Sequence, residues 1–183
     1  MLKVTPTTLP EVLILEYEPR DDMRGPVFTN YSKRELAEAG ICTEFVEEYL
    51  YCPTSKGTLY GIHFQNHPKA QAKLIRCAKG RGLDYAVDLR KHSKTYRQWV
   101  CVELSPENGR QMYIPEGFGH AFLTMEDDTH IVYRISEYAD PGLQLAISFM
   151  DGELNIPFPV ENPVLSEQDK NAPFLKDSGC NYE

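Results

Sequence analysis

The sequence predicts an all-β sandwich or jelly roll with short peripheral helices. Three observations carry this: most apolar stretches alternate with period two, clusters of Gly, Pro, Asn and Asp cut the chain into many short strands, and strong helical patterning occurs once. The first strand candidate is 11–15. The helix is 32–39, where Ser32 and Glu35 form a capping-box pattern and Gly40 supplies a stop. Further strands are predicted at 59–65 and 74–77. In GLDYAVDLR, Leu83, Tyr85, Val87 and Leu89 alternate against Asp84, Ala86 and Asp88, so this strand has one buried side. Strands at 98–104, 111–114 and 120–124 follow. In HIVYRIS, Ile131, Tyr133 and Ile135 alternate against Val132 and Arg134, and a last strand is expected at 145–149. After Asp151 the chain becomes proline-punctuated, and from about residue 152 it is expected to wrap the sandwich with one short helical turn.

With 183 residues, 42% hydrophobic content and no linker, the chain is expected to form one domain over 1–183. Its first residues lack the features of a secretory signal, and no segment approaches membrane-spanning length. Five scattered cysteines without a CxxC pair suit neither a disulfide framework nor a zinc site, so a cytoplasmic location is expected. A net charge of -8 argues against nucleic acid as a partner, while leaving room for one small anionic ligand held by a few local cations.

The chemistry concentrates around GRQMYIPEGFGH, residues 109–120. A glycine, five residues and then PxGxxH resemble the second signature of cupin jelly rolls, whose tight turn delivers a histidine, here His120, to the barrel mouth. Metal-binding cupins add an HxH pair and a glutamate. Here the corresponding stretch is GIHFQNHPKAQAKL, with His63 and His67 four apart and neither the HxH nor the glutamate, so no metal is expected. A cupin-type double-stranded β-helix with ionisable side chains but too few ligands suits acid-base chemistry by side chains alone.

Several blocks together resemble the dTDP-4-dehydrorhamnose 3,5-epimerases: RDDMRG, GIHFQ, AQAKL, YAVDLRKHSKTY, LSPENGRQMYIPEGFGHAF, IVYRISEY and LSEQDKNAP. The resemblance runs from about Val12 to Pro173. It implies a nucleotide-linked 4-keto-6-deoxyhexose substrate, epimerised at carbons flanking the ketone with no cofactor. It further implies His63 as general base, Asp169 as its dyad partner, Lys73 as stabiliser of the enolate oxygen and Tyr133 as acid on the opposite face. For substrate binding it implies Arg24 at the diphosphate and Tyr138 near the nucleotide; His120, Tyr60 and Gln65 are also expected to bind substrate. Cupins of this size pair through sheet edges, so a homodimer is expected.

Physical chemistry supports these roles. An imidazole titrates near neutrality, and a carboxylate on its second nitrogen fixes the tautomer and stabilises the imidazolium. An ammonium beside a developing oxyanion acts most strongly in the transition state. Inversion needs a donor facing the base across the ring. Each residue also has a plainer reading: His63 as a core histidine, Asp169 as part of an SEQD helix cap, Tyr133 as packing, Lys73 as an apolar stem, His120 as a turn residue, Tyr138 as packing, and Arg24 as partner of Asp21 or Asp22.

The chain also departs from the family. Tyr60 stands where an arginine is usual, Gln168 where a lysine is usual, and EFVEEYLYCPTSKGT replaces FVQDNxSxS, with Glu47, Glu48 and Tyr49 or Leu50 at nucleotide-facing positions. Base and acid persist while their surroundings change. That leaves open a 3- or 5-epimerase, a CDP- or GDP-linked substrate, a 3,4-ketoisomerase, or a sugar-nucleotide binding module without turnover.

Overall fold

The computed structural model describes residues 1–183. In chain order the elements are β1 (Leu2–Pro6), β2 (Leu13–Tyr17), β3 (Arg20–Asp22), β4 (Gly25–Val27), α1 (Lys33–Glu38), β5 (Glu47–Tyr51), β6 (Leu59–Gln65) and β7 (Lys73–Lys79). There follow β8 (Gly82–Asp88), β9 (Trp99–Leu104), β10 (Arg110–Ile114), β11 (Phe118–Thr124), β12 (His130–Ile135), β13 (Gln144–Ala146) and α2 (Glu167–Lys170).

Two antiparallel sheets face each other. One has six strands in the order β1-β2-β10-β7-β12-β5, the other five in the order β13-β6-β11-β8-β9, and β3 and β4 form a separate hairpin. From β5 onward the chain changes sheet at every connection except β8 to β9, which is the winding of a cupin jelly roll. Ile75, Met112, Ile114 and Ile131 from one sheet meet Ala86, Val102, Leu104 and Phe122 from the other in the space between. The outer face of the six-stranded sheet, with Leu15 and Leu74, is covered by Leu36 of α1 and by Ile41. Ser32 caps that helix by accepting from the Glu35 amide, as its pattern predicts.

The outer face of the five-stranded sheet is covered by the C-terminal segment. Ile62, Tyr85, Val87 and Leu123 pack beneath Leu154, Ile156, Leu175 and Tyr182. Each such buried side chain contributes roughly 1.5–3 kcal/mol of transfer free energy, enough to hold an irregular segment in place. This arrangement corrects the expectation for GLDYAVDLR. Its apolar side faces the wrap, its polar side faces the barrel interior, and β8 is buried almost throughout.

Other boundaries move for local reasons. The strand expected at 11–15 is β2, displaced because the Thr7–Val12 turn occupies Pro10 and Glu11. The one expected at 145–149 contracts to β13. Strands β1, β3, β4 and β5 lie outside the predicted set; β5 reads EEYLY, where tyrosines rather than aliphatic residues mark the inner face. No helix is long and apolar enough to cross a membrane.

Candidate active site

The site is built on an irregularity in β6. Gly61 has φ +97°, and the β6–β11 register shifts between the His120–His63 and Phe122–Tyr60 pairs. A Cβ at Gly61 would sit 2.3 Å from the His120 carbonyl oxygen. On a regular strand residues 61, 63 and 65 would share a face. The bulge instead puts Tyr60 on the interior side with His63, while Leu59, Ile62 and Phe64 face the wrap. Both side chains thereby enter a cavity of about 310 Å³, which Gln71, Lys73, His120, Tyr133, Gln168 and Asp169 also line.

His63 Nε2 lies 2.5 Å from Asp169 Oδ1. Asp169 belongs to α2 and is almost wholly buried; its other oxygen accepts from the Ser166 hydroxyl at 2.7 Å, and its amide donates to Ser166 Oγ at 3.1 Å. The helix-cap reading of SEQD holds, and the same capping turn aims the carboxylate at His63. Burial alone would raise the Asp169 carboxyl, but hydrogen bonding and charge from His63, with the Ser166 hydroxyl, hold it below the ordinary carboxylate range. With Nε2 engaged, Nδ1 is the nitrogen left to accept a proton.

Lys73 opens β7 and is buried, with Nζ 3.3 Å from the His63 carbonyl oxygen. Burial lowers its ammonium to about 8, opposed by the nearby Asp84 charge. His120 Nε2 sits 2.6 Å from Asp84 Oδ1 with both residues buried, a second imidazole–carboxylate pair. Burial pushes the Asp84 carboxyl up and the His120 imidazole down. Both shifts disfavour charge in this buried pair.

Tyr133 stands on β12, in the sheet opposite β6. Its hydroxyl is 2.9 Å from that of Tyr51, and its ring packs offset against Tyr49 and Tyr51, with centroids at 5.3 and 5.2 Å. Burial pushes its phenol well above the ordinary value.

Three residues of the sequence-predicted set lie outside the cavity. Arg24 is exposed at the β3–β4 turn, where Asp22 accepts from its Nε at 3.2 Å, Nη2 at 2.6 Å and backbone amide at 2.8 Å. The turn-stabilising pairing is the one adopted. Gln65 spends its side-chain amide on the carbonyls of Lys69 and Tyr138 and the amide of Asp140, so it clasps a loop. Tyr138 is exposed on that loop. His67 falls in the turn beyond β6 rather than beside His63, and no three His, Cys, Asp or Glu side chains group as metal ligands.

Sequence reasoning missed Asp84, Tyr51 and Gln71. For Asp84 the alternation with apolar residues was visible, but not that the apolar side has a cover of its own, which turns the carboxylate into the interior.

A cupin with a carboxylate-held imidazole on one wall and a phenol on the other defines an isomerase of the epimerase class, acting on carbohydrates. Comparison with known proteins narrows the class. The family model for dTDP-4-dehydrorhamnose 3,5-epimerase matches residues 6–177. The enzyme of that description from Shigella flexneri is 39% identical over 178 residues, covering 97% of this chain and 98% of its own. The crystal structure of dTDP-4-dehydrorhamnose 3,5-epimerase from Bacillus anthracis with TDP and PPi bound superposes with a TM-score of 0.92 at 37% identity, covering 95% of this chain and 99% of that one. A Legionella pneumophila dTDP-6-deoxy-D-glucose-3,5-epimerase in complex with dTDP-4-keto-L-rhamnose gives 0.91 at 33% identity, covering 96% and 94%. The chain belongs to the dTDP-4-dehydrorhamnose 3,5-epimerase family.

Proposed function

We propose that this chain epimerises a dTDP-linked 4-keto-6-deoxyhexose at one or both carbons flanking the ketone. The observation that carries this reading is the His63–Asp169 pair and Tyr133 on opposite sheets around one cavity. The ketone acidifies its neighbouring C–H bonds. His63 takes such a proton, and Asp169 keeps the imidazole in one orientation and stabilises the imidazolium. Charge passes to the ketone oxygen, where the Lys73 ammonium stabilises the enolate more than the ketone. Tyr133 returns a proton to the opposite face of the carbon. Tyr60 and His120 hold the sugar from the cavity walls. The nucleotide extends beyond a space of this size, and there the exposed Tyr138 ring and the Arg24 guanidinium are the groups proposed to meet it, Arg24 by exchanging Asp22 for phosphate.

Incubation with dTDP-4-keto-6-deoxyglucose in D2O, followed by NMR, tests the reading. Solvent deuterium at two carbons with an inverted product is expected of a 3,5-epimerase. Deuterium at one carbon marks a single-centre epimerase, the second reading, which Tyr60 and Gln168 in the cavity wall favour because the family carries cations there. No exchange overturns both.

A cytoplasmic homodimer is the assembly and setting proposed. Free cysteines suit a reducing compartment, and the apolar side chains exposed on and beside the β3–β4 hairpin, Met23, Val27 and Phe28, suit pairing with a second copy. Light scattering reading the mass of one chain would overturn the dimer.

A further inference from the structure

The geometry points to Tyr51 as a positioning residue for Tyr133, a second hydroxyl that directs the acid's single proton toward the sugar and steadies the oxygen after the proton has left. The inference rests on the acid role proposed above for Tyr133.

A phenol has one hydrogen. With the two oxygens 2.9 Å apart, one of them must donate to the other. If Tyr133 donates to Tyr51, its proton is unavailable to the substrate. If Tyr51 donates, the Tyr133 proton is free to point elsewhere, and only this arrangement is productive. The same bond serves the next step. Once Tyr133 has protonated carbon it is a phenolate in a setting where burial opposes that charge, and a donor already in place stabilises it without reorganisation. The phenolate then takes the Tyr51 proton, and Tyr51 recovers one from water at the cavity mouth. The hydroxide so formed is neutralised by the proton that His63 releases, so the cycle closes without net charge.

The surroundings single out Tyr51. Tyr49 packs against the same ring, but its hydroxyl donates to Glu47 at 2.6 Å and is committed there. Tyr51 keeps its ring within 17° of the Tyr133 plane, and Tyr60 braces it edge-on at 5.3 Å. Its strand, β5, lies in the stretch EFVEEYLYCPTSKGT, which departs from the family pattern.

The test is Tyr51→Phe, which keeps the stacked ring and removes the hydroxyl, assayed with dTDP-4-keto-6-deoxyglucose in D2O. Proton removal by His63 does not involve Tyr51, so deuterium exchange with retention of configuration should continue at the wild-type rate. Inversion should fall roughly 10- to 100-fold, the value of one hydrogen bond to a charged oxygen, with KM changed less than about twofold. The ratio of exchange to inversion therefore rises, a readout that loosened packing would not move. Tyr51→His, which keeps a ring and a donor, should recover part of the inversion rate and serves also if the Phe variant folds poorly. An active wild type with an unchanged ratio in Tyr51→Phe overturns this inference alone. A wild type inert in both exchange and inversion overturns the proposed function and this inference with it.

Discussion

Asp169 Oδ1 lies 2.5 Å from His63 Nε2 although 106 residues separate them in the chain. The carboxylate reaches the imidazole from a capped helical turn on the wrapping segment, not from either sheet. Asp169→Asn preserves shape and removes the charge that fixes the tautomer. Inversion should fall about 10²- to 10⁴-fold in kcat with little change in KM. Ser166→Ala, which loosens the carboxylate without discharging it, should cost far less. Steady-state rates of the two variants check this order.

The basic limb of the pH profile should belong to Lys73. Burial lowers its ammonium from 10.5 to about 8, so the charge proposed to stabilise the enolate is lost as pH rises through about 8. Tyr133 keeps its proton throughout this range because burial moves it the other way. Lys73→Met should lose about 10²- to 10³-fold in kcat. Stability should move oppositely to activity. Between about 8 and 10.5 the unfolded chain binds the proton and the folded one does not, so wild-type stability gains on that of Lys73→Met as pH rises through this window. Urea denaturation at several pH values measures the difference.

Gly61→Ala should damage both fold and catalysis. The φ of +97° strains any L side chain, and the added carbon would meet backbone at 2.3 Å, which no rotamer change relieves. Relaxation of the bulge would turn His63 or Tyr60 out of the cavity. A loss of roughly 2–4 kcal/mol in denaturant titration, with inversion nearly abolished, is the expected outcome.

Asp84→Ala should destabilise by about 3–5 kcal/mol, because it strands His120 and Lys73 in a buried setting without their carboxylate. Asp84→Asn retains a hydrogen-bonding group and should cost clearly less. Equal losses in the two would show that the carboxylate itself, not the shape or the hydrogen bond that Asn keeps, is what the pair contributes.

Arg24→Ala separates two roles. Its guanidinium is exposed and its partner is Asp22, so the melting curve should not change. Weaker calorimetric binding of dTDP by the variant would support the proposed exchange of Asp22 for phosphate.

The fold was legible where period-two patterning coincided with a turn signal, as in β6, β11 and β12. It was not legible in β5, where tyrosines mark the inner face and hydrophobicity carries no period, nor in β1, where the Leu2/Val4 alternation is only two apolar residues long. Within the site, His63, Lys73 and Tyr133 followed from strand position and resemblance, and Asp169 from the SEQD block. Asp84 was hidden because alternation reports which side of a strand is apolar, not whether a sheet or a wrap covers it. The bulge at Gly61 was hidden because a glycine in a strand does not announce its φ. Gln65 lies two residues beyond His63 in regular pairing, but its amide is taken up by the backbone of Lys69, Tyr138 and Asp140, which strand position does not report.

The wrap brings the orienting carboxylate late. Both sheets, and with them the imidazole, the ammonium and the phenol, are encoded before residue 147, whereas Asp169 lies beyond it. The base proposed at His63 meets its carboxylate only where the segment after residue 152 is docked over Tyr85 and Val87. The aim of the imidazole is thus tied to the docking of a segment that belongs to neither sheet.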